Sequence, residues 1–399
     1  MSIEIRSPSE EEFRDAALAV YTAFGDDLND SDIERERKVM PLDRFIAAYD
    51  DGRPVGAAAS YPFELTIPGD TIPAAGVTWV GVLPSHRRRG ILQSLMRKQL
   101  TEDSEAVAIL WASESAIYGR FGYGISAPNV RMDARSDRFQ LRGDPDPVGT
   151  IRHVDTEEAL ELFPKVYDRK RLETPGMFAR TREWWSEMKL ADPEHWRRGF
   201  GPKHLVVLEL DGAPEAYATY RVKSDWENGI PKGQLMVLDA FATSPTATRE
   251  LWRFLFNIDL VSNVKQFMFD PGSALFLMVV DARRLNLGMS DGLWLRIVDV
   301  ERALGARSYA TDDTVVIELS DELCPWNAGR WKIGAEVERT NDAAELALDS
   351  TDLASAYLGA FDFHALARGQ RVEELKPGAL ERASALFRTT RPPYCPEEF

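Results

Sequence analysis

The stretch that most constrains the fold of this chain is VTWVGVLPSHRRRGILQSLM, residues 77–96. An apolar, β-rich run ends at Pro84, a short basic loop follows, and an amphipathic helix begins after Gly90. The apolar stripe of this helix is formed by Ile91, Leu92, Leu95, Met96 and Leu100. A strand, a tight loop and a helix with one apolar face are the parts of a mixed α/β domain with a central sheet, which is the fold class predicted here.

The junction between this strand and helix carries groups suited to an anion. Backbone N–H groups at a helix N-terminus are unpaired and point outward, and the helix dipole favours negative charge there. Gly90 lets the backbone approach a phosphate closely, while Arg87, Arg88 and Arg89 add forked donors. The spacing predicts a pyrophosphate cradle, with a surface loop of solvated charges as the alternative. Neither a P-loop nor a Rossmann fingerprint is present in the sequence.

The rest of residues 1–145 alternates between strand and helix patterns. Ser9 and Glu12 have the spacing of a capping box at the start of the first helix. The predicted order is strand, helix, strands, helix, strand, helix. The segment RGDPDPVGT at 142–150 is rich in Asp, Gly and Pro and predicts the first domain boundary.

A second region repeats this order of elements. Residues 205–222 predict a strand, an Asp-Gly turn and a strand, and residues 234–261 predict a strand followed by an amphipathic helix. The loop before that helix, TSPTATRE, has no glycine and a single arginine. This region therefore predicts a second copy of the domain in which the anion loop has been lost and the role is structural.

The third region opens near residue 289 and is rich in strand signals. TVVIELSD predicts a strand, and residues 342–362 predict a helix with leucines for a core. The chain closes with RTTRPPYCPEEF, in which the prolines disfavour helix and predict an extended tail.

The length of the chain limits the number of its domains, and its net charge limits the kinds of partner it can bind. A chain of 399 residues suits two or three domains. A net charge of −16 argues against general nucleic-acid binding, which needs a basic face, and favours cationic partners or solubility.

The cysteines, the histidines and the N-terminal sequence argue against a disulfide framework, a metal site and a secretory signal. Cys324 and Cys395 cannot form a disulfide framework, and free thiols in a reducing compartment are expected. The five histidines are scattered, at positions 86, 153, 195, 204 and 364, so no metal site is predicted. The N-terminus has no secretory pattern, and no apolar run approaches the roughly 18 residues of a membrane span. A cytoplasmic protein without a membrane span is the expectation.

Two motifs carry a resemblance to a known family. The run Arg87-Arg88-Arg89-Gly90-Ile91-Leu92 resembles the R/Q-x-x-G-x-G/A loop with which GNAT N-acetyltransferases hold acyl-CoA, except that Leu92 stands where most members have Gly or Ala. Together with ASESAIYGRFGYG at 112–124 and the terminal EEF, it resembles the enhanced intracellular survival (Eis) branch, where this leucine is familiar.

The resemblance implies tandem GNAT-like α/β domains plus a C-terminal α+β domain similar to sterol carrier proteins. The implied boundaries are 1–145 for the catalytic domain, 146–288 for a degenerate copy without the CoA loop, and 289–399 for the last domain. It further implies a homohexamer that uses acetyl-CoA to acetylate primary amines of a small, cationic molecule, with aminoglycosides acetylated at several positions. A protein-lysine or polyamine acetyltransferase is the alternative within the enzyme class, and a lipid-binding module is the alternative outside it.

The resemblance also implies roles for residues of the donor side. The strand 80–82 would line the pantetheine arm, and backbone N–H groups from Arg88 to Gln93 would hold the pyrophosphate. Tyr118 of IYGRFG would protonate the leaving thiolate, whereas Tyr123 is expected to pack in the core. The full set of implied cofactor residues is Val80, Gly81, Val82, Arg87, Arg88, Arg89, Gly90, Ile91, Leu92, Gln93, Ser113 and Glu114.

On the acceptor side the family uses the free C-terminal carboxylate as the base, which here belongs to Phe399. A reference pKa of roughly 3.5 makes this group a weak base unless burial raises the pKa or a water relays the proton. The family's acidic and aromatic substrate positions fall on Asp26, Glu398 and Phe24.

Overall fold

A computed structural model describes residues 3–143 and 145–399 of the chain. The chain divides into two compact units. The first contains the N-terminal residues up to Ala127, then Asp291–Pro393, and the last two residues, Glu398–Phe399. The second contains Pro128–Ser290 and the tail segment Tyr394–Glu397.

The β-strands are, in chain order, β1 (Glu4–Arg6), β2 (Phe45–Asp50), β3 (Arg53–Ile67), β4 (Asp70–Val82), β5 (Val107–Trp111), β6 (Gly124–Arg135), β7 (Thr150–His153), β8 (His204–Leu210), β9 (Ala213–Lys223), β10 (Trp226–Glu227), β11 (Ile230–Pro231), β12 (Gly233–Ala242), β13 (Val261–Phe269), β14 (Gly288–Ile297), β15 (Val315–Ser320), β16 (Gly329–Ile333), β17 (Glu338–Arg339), β18 (Leu346–Asp349) and β19 (Val372–Glu374). The α-helices are α1 (Phe13–Phe24), α2 (Asp30–Val39), α3 (Ile91–Glu102), α4 (Ser115–Tyr118), α5 (Thr156–Arg171), α6 (Pro245–Phe256), α7 (Leu275–Met278), α8 (Val300–Ala306), α9 (Ser350–Tyr357), α10 (Phe363–Arg368) and α11 (Ala379–Phe387).

The first unit is built on a sheet in which β1, β2, β3 and β4 pair antiparallel in that order and β5 pairs parallel to β4. Helices α1 and α3 cover opposite faces of this sheet. Phe45 of β2 contacts Phe13 of α1, whereas its neighbour Ile46 packs with Ile91 and Leu95 of α3. Successive strand residues point to opposite faces, so the two helices lie on opposite sides.

The capping box predicted before the first helix is present, but α1 itself begins at Phe13, with Glu12 rather than Ser9 as its N-cap. The backbone N–H of Ser9 donates to the Glu12 carboxylate at 2.8 Å, and the Glu12 N–H donates to the Ser9 hydroxyl at 3.3 Å. These are the two reciprocal hydrogen bonds of a capping box, and they fix where the chain turns into α1.

A strand from late in the chain completes the first unit's sheet. Residues 293–297 of β14 pair antiparallel with 107–111 of β5. A smaller sheet with the order β17-β16-β15-β18-β19 and helices α8 to α11 follow β14 in the same unit. Helix α9 lies so close to the start of β6 that a Cβ on Gly124 would come within 2.1 Å of the Thr351 carbonyl oxygen, which explains a glycine there.

The prediction of one helix over 342–362 is wrong in its first half. Leu346 and Leu348 lie in β18, which pairs parallel with β15, and helix α9 begins only at Ser350. The Asp349 side chain accepts a hydrogen bond from the Asp352 N–H at 3.0 Å and so marks the strand-to-helix switch.

The second unit repeats the order of elements predicted for a degenerate copy. Strands β8, β9 and β12 pair antiparallel, β13 pairs parallel to β12, and α6 connects β12 to β13. Helices α5 and α6 pack against this sheet. Thus β9-β12-α6-β13 of the second unit corresponds to β3-β4-α3-β5 of the first.

Three exclusions made from the sequence can be compared with the described residues. Within residues 3–143 and 145–399, no helix is long and apolar enough to cross a membrane. The same part of the chain holds no cluster of three His, Cys, Asp or Glu side chains suited to a metal ion. Cys324 and Cys395 are free, as predicted, and both are buried.

Candidate active site

The junction between β4 and α3 has the backbone of an anion site. Gly90 is the N-cap of α3 and has a φ of 77°, and the described side chains provide no cap for this helix. Arg88 also has a positive φ, 63°. Nothing lies within 4 Å of a Cβ placed on Gly90, so glycine is favoured there by its backbone conformation rather than by space. The first N–H groups of α3 are left for a ligand.

Strands β4 and β5 separate just before this junction. Their paired register covers only Ala74–Gly76 of β4, although β4 continues to Val82. A bulge interrupts the pairing of β4 with β3, and Trp79 within it has a φ of 55°. The end of β4 therefore offers backbone groups to the space beside β5, which lies at the carboxyl ends of parallel strands, where ligands of α/β sheets bind.

A cavity of about 610 Å³ opens at this point, and we call it the donor cavity. Of the cofactor residues predicted from the sequence, only Arg89 is missing from its lining. The predicted residues that line it are Val80, Gly81, Val82, Arg87, Arg88, Gly90, Ile91, Leu92, Gln93, Ser113 and Glu114. Lining residues that the sequence did not indicate include His86, Arg120, Phe121 and Glu322.

The three arginines of the loop have different surroundings. The Arg89 guanidinium donates to the Asp50 carboxylate at 2.9 Å and holds the pKa of that carboxyl below its usual range. Arg87 donates to the backbone carbonyl of Ala23 at 3.2 Å. The Arg88 guanidinium has no hydrogen bond or ion pair with the described residues, so it is the one available to a bound phosphate.

Tyr118 lies at the end of α4 and is buried, yet its side chain lines the donor cavity. Burial raises the pKa of its hydroxyl to about 12, opposed by a hydrogen bond with Ser113. Tyr123 contacts the Tyr118 ring edge-on at 6.0 Å but is fully buried and lines neither cavity described here. The Tyr123 hydroxyl has no hydrogen-bond partner in the described part of the chain.

A second cavity, of about 380 Å³, adjoins the first, and we call it the acceptor cavity. The two cavities share Phe24, Val80, Ser113 and Tyr118 in their linings. All four residues predicted for the acceptor side line the second cavity: Phe24, Asp26, Glu398 and Phe399. The structure thus places together four residues that the resemblance implied, although positions 26 and 399 are far apart in the chain.

The C-terminal residue is held by its ring. The Phe399 phenyl ring packs edge-on against Phe63, with centroids 5.1 Å apart, and against Tyr61 at 6.4 Å. Phe399 is half-buried, whereas the adjacent Glu398 is exposed. Aromatic packing therefore gives the chain end a defined position beside the cavity.

The acceptor cavity has a carboxylate that the sequence did not reveal, Glu36 of α2. The Tyr61 hydroxyl donates a hydrogen bond to it, and the Trp79 side chain forms a second one. Burial raises the pKa of Glu36 to about 7, although both hydrogen bonds act in the opposite direction. The segment DSDIERERKV is typical of a solvated helix, so no pattern in it distinguishes Glu36 from its charged neighbours.

These residues fit acetyl-CoA. The uncapped N-terminus of α3 and the unpaired Arg88 suit the diphosphate, and the free edge at the end of β4 suits the amide groups of the pantetheine arm. Ser113 and Tyr118, shared by both cavities, lie where a thioester would meet an acceptor.

Comparison with protein-family models divides the chain into three segments. Residues 4–126 match a model described as acetyltransferase (GNAT) domain, and residues 176–297 match a second model with the same description. Residues 300–396 match a model described as sterol carrier protein domain.

Full-length similarity is found in curated proteins and in solved structures. An uncharacterized N-acetyltransferase of Streptomyces avermitilis is 41% identical over 381 residues, covering 92% of each chain. The N-acetyltransferase Eis of Mycobacterium tuberculosis is 31% identical over 424 residues, covering 100% of both chains. The crystal structure of Eis1 from Mycobacterium abscessus is similar with a TM-score of 0.85 and 32% identity, again covering 100% of both chains.

Proposed function

The chain belongs to the Eis family of GNAT N-acetyltransferases, whose acetyl donor is acetyl-CoA, and we propose that it acetylates primary amines of a small polycationic molecule. Aminoglycosides, modified at several positions, are the proposed substrate class. The observation that carries this proposal is the meeting of the donor cavity and an acidic acceptor cavity at Ser113 and Tyr118.

The charge of the acceptor cavity supports a cationic substrate. Asp26, Glu36 and Glu398 line it, and no Lys, Arg or His is among the described residues of its lining. Its aromatic side chains, including Trp79 and Trp111, suit the apolar faces of a ring system and the cations it carries. A volume of about 380 Å³ is that of a small-molecule site.

The donor side is proposed to work mainly through the backbone. Acetyl-CoA, when bound, supplies an acetyl group activated as a thioester. The N–H groups from Arg88 into α3 hold the diphosphate, and residues 80–82 of β4 align the arm that carries the thioester. Arg88 adds a forked donor, while Arg89 fixes the loop through Asp50.

Tyr118 is proposed as the proton donor to the leaving thiolate. A pKa of about 12 keeps its hydroxyl protonated throughout the neutral range. Because that makes it a weaker acid than a thiol of pKa roughly 8.5, its first contribution is a hydrogen bond to the sulfur as negative charge develops. Proton transfer then completes the departure of the thiol.

The α-carboxylate of Phe399 is proposed as the acceptor of the amine proton. Packing of its ring against Phe63 and Tyr61 supports this role, because a base must be held at one position. After one transfer Tyr118 is a tyrosinate and the Phe399 carboxyl is protonated, and a proton passing from that carboxyl to the tyrosinate through solvent restores both groups for the next turnover. A homohexameric, cytoplasmic enzyme completes the proposal, and the hexamer rests on the family resemblance.

A CoA-release screen over aminoglycosides, polyamines and lysine-containing peptides tests the substrate class, with mass spectrometry counting the acetyl groups added. We expect aminoglycosides to be the best substrates and to gain more than one acetyl group. Turnover confined to lysine peptides or to polyamines would move the assignment to the alternative acceptor. Acetyl-CoA titration by calorimetry is the control, and absence of binding would contradict the donor site itself.

A further inference from the structure

We propose that Glu36 determines acceptor specificity: its carboxylate binds a second ammonium group of the substrate while the reacting amine lies near Tyr118. This inference rests on the proposed amine acetyltransferase function and adds to it a feature that the acceptor must have. The preferred acceptor therefore carries two amines. Their separation matches the distance from Glu36 to Ser113 and Tyr118, which line both cavities.

The first argument is that the Glu36 carboxylate is held in a fixed place by two rigid donors. Tyr61, on β3, stacks on Phe63 with ring centroids 5.3 Å apart. Trp79, at the bulge of β4, is packed edge-on by Tyr21 at 5.5 Å and by Phe45 at 5.8 Å. Neither donor can follow the carboxylate if it moves, so Glu36 is preorganised as an acceptor of further hydrogen bonds from the cavity.

The second argument is that this carboxylate has no counter-ion. Throughout residues 3–143 and 145–399, no Lys, Arg or His pairs with the Glu36 side chain. A desolvated carboxylate without a cation is unfavourable in its charged form, which is why burial raises its pKa. An ammonium group in the cavity supplies the missing positive charge and two or three hydrogen-bond donors.

The third argument concerns the groups that face Glu36 from the neighbouring elements. Asp32 lies on its own helix, Tyr21 on α1 and Tyr61 on β3, and the charged form of each is negative. The cavity lining adds the acidic residues Asp26 and Glu398. Arg35 and Arg37 flank Glu36 along α2, but the charge that shifts the Glu36 pKa is that of Asp32, so the groups facing the Glu36 carboxylate favour a cation at this position.

Glu36 differs from the other two acidic lining residues in its degree of burial. Asp26 and Glu398 are exposed, so water and salt screen their attraction for a cation. Glu36 is half-buried beneath aromatic side chains, where an ion pair depends more strongly on geometry. Asp26 and Glu398 suit general attraction of polycations, and Glu36 suits recognition of one amine at one distance.

The test compares Glu36→Gln with Glu34→Gln, an exposed position of the same helix that loses the same charge. Each variant is assayed with α,ω-diamines of increasing length and with monoamines of the same chain length. The measured quantity is the ratio of kcat/KM for a diamine to kcat/KM for its monoamine. We expect the ratio to fall roughly ten- to hundredfold in Glu36→Gln, as for loss of a charge-assisted hydrogen bond, and to stay unchanged in Glu34→Gln.

The pH dependence of the same ratio separates recognition from a structural role. Glu36 becomes charged as pH rises through its raised pKa, so the wild-type ratio should increase between about pH 6 and pH 8. Deprotonation of the reacting amine cancels in the ratio. Glutamine keeps an oxygen to accept from Tyr61, so a merely structural Glu36 would leave the ratio and its pH profile unchanged in Glu36→Gln, and that result overturns the proposal.

Diamine binding in the presence of CoA, measured by calorimetry, needs no turnover. Weaker binding of the best diamine to Glu36→Gln supports the inference, and equal binding to wild type and variant overturns it. If wild type releases CoA with none of the amines, the proposed function fails, while the binding measurement still decides the role of Glu36.

Discussion

The β4–α3 and β12–α6 junctions have the same strand–loop–helix architecture but differ in how the first turn of the helix is capped. In the first unit, α3 begins at Gly90, in a left-handed conformation, with no side-chain cap among the described residues. In the second unit, the Ser244 hydroxyl accepts from the Ala247 N–H at 3.1 Å, and Pro245 removes another N–H from the first turn. The start of α6 therefore offers fewer free N–H groups to a phosphate than the start of α3, which agrees with a structural role for the second junction.

The strands beside the two junctions differ in a related way. The paired register of β12 with β13 ends at Val237, as that of β4 with β5 ends at Gly76. In the first unit, the space beyond that point is the donor cavity. In the second, the Tyr394 hydroxyl donates to the Met268 carbonyl of β13 at 2.8 Å, and the Tyr394 ring packs near Phe241 of β12 at 6.4 Å. Tyr394 of the tail thus contacts both β12 and β13 beyond the end of their paired register.

The two units also differ in how their buried charged side chains are paired. Arg180 of the second unit is fully buried and paired with Asp239 at 2.6 Å and with Glu397 of the tail. Glu36 of the first unit has hydrogen-bond donors but, among the residues that the structure describes, no cationic partner. The charges of the Arg180 cluster are neutralised within the chain, as a structural role requires, whereas the proposed role of Glu36 in binding a substrate ammonium group accounts for its lack of a counter-ion among the described residues.

The largest effect is expected from extending the chain beyond Phe399. Two added glycines turn the α-carboxylate into an amide and move the terminal charge away from the acceptor cavity, which removes the proposed base. We expect kcat/KM to fall about a thousandfold, within the range for loss of a general base. The same extension at the N-terminus is the control, and full activity of the C-terminally extended enzyme would refute the assignment of the base.

In the second unit, Arg180→Met should be the most damaging single substitution discussed here. Removing the cation leaves the buried Asp239 with the Tyr217 hydroxyl but no counter-ion and leaves Glu397 with Lys189 alone, which costs about 3–5 kcal/mol of stability. Arg182→Met is the matched control, because the ion pair of Arg182 with Glu161 is exposed and worth roughly 0–1 kcal/mol. Chemical denaturation followed by fluorescence measures the difference, and equal stability of the two variants would contradict a structural role for the Arg180 cluster.

In the first unit, Tyr118→Phe should lower kcat about a hundredfold and leave the KM for acetyl-CoA nearly unchanged, because only the proton donor is lost. Tyr123→Phe is the control, since the Tyr123 hydroxyl has no partner in the described structure. The pKa of Tyr118 is raised, so its acid form persists at alkaline pH, and no loss of kcat from its ionisation is expected below about pH 11. A large loss in Tyr123→Phe with a mild one in Tyr118→Phe would reverse the roles.

The β4–α3 junction, the acceptor-side residues and Glu36 differ in how well they could be predicted from the sequence. The open junction was predictable, because strand, basic loop, glycine and helix are contiguous and each has a local signal. The acceptor-side residues were predicted from the family resemblance alone, because no local sequence pattern links the C-terminal Phe399 to Asp26. Glu36 was missed because its role is set by Tyr61 and Trp79, which are distant in sequence.

The remaining misses have the same physical origin. Leu346 and Leu348 fit a helix as well as a strand, and only the ladder with β15 decides between them. The pairing of β14 with β5 joins segments separated by residues 112–287, so no short window of sequence contains both strands. Partner choice between strands depends on contacts made after the chain folds.

The smallest predicted effects test the central contrast directly, by a matched pair of substitutions at the two helix starts. Ser244→Ala removes the cap of α6 and should cost about 1 kcal/mol of stability without changing the KM for acetyl-CoA. Gly90→Ala should cost a similar 1–2 kcal/mol, roughly the penalty for a Cβ in a left-handed conformation. It should also raise that KM severalfold, because the backbone shifts away from the geometry that presents the N–H groups. If both variants lowered stability without changing the KM for acetyl-CoA, the β4–α3 junction would not be the binding site of the CoA diphosphate.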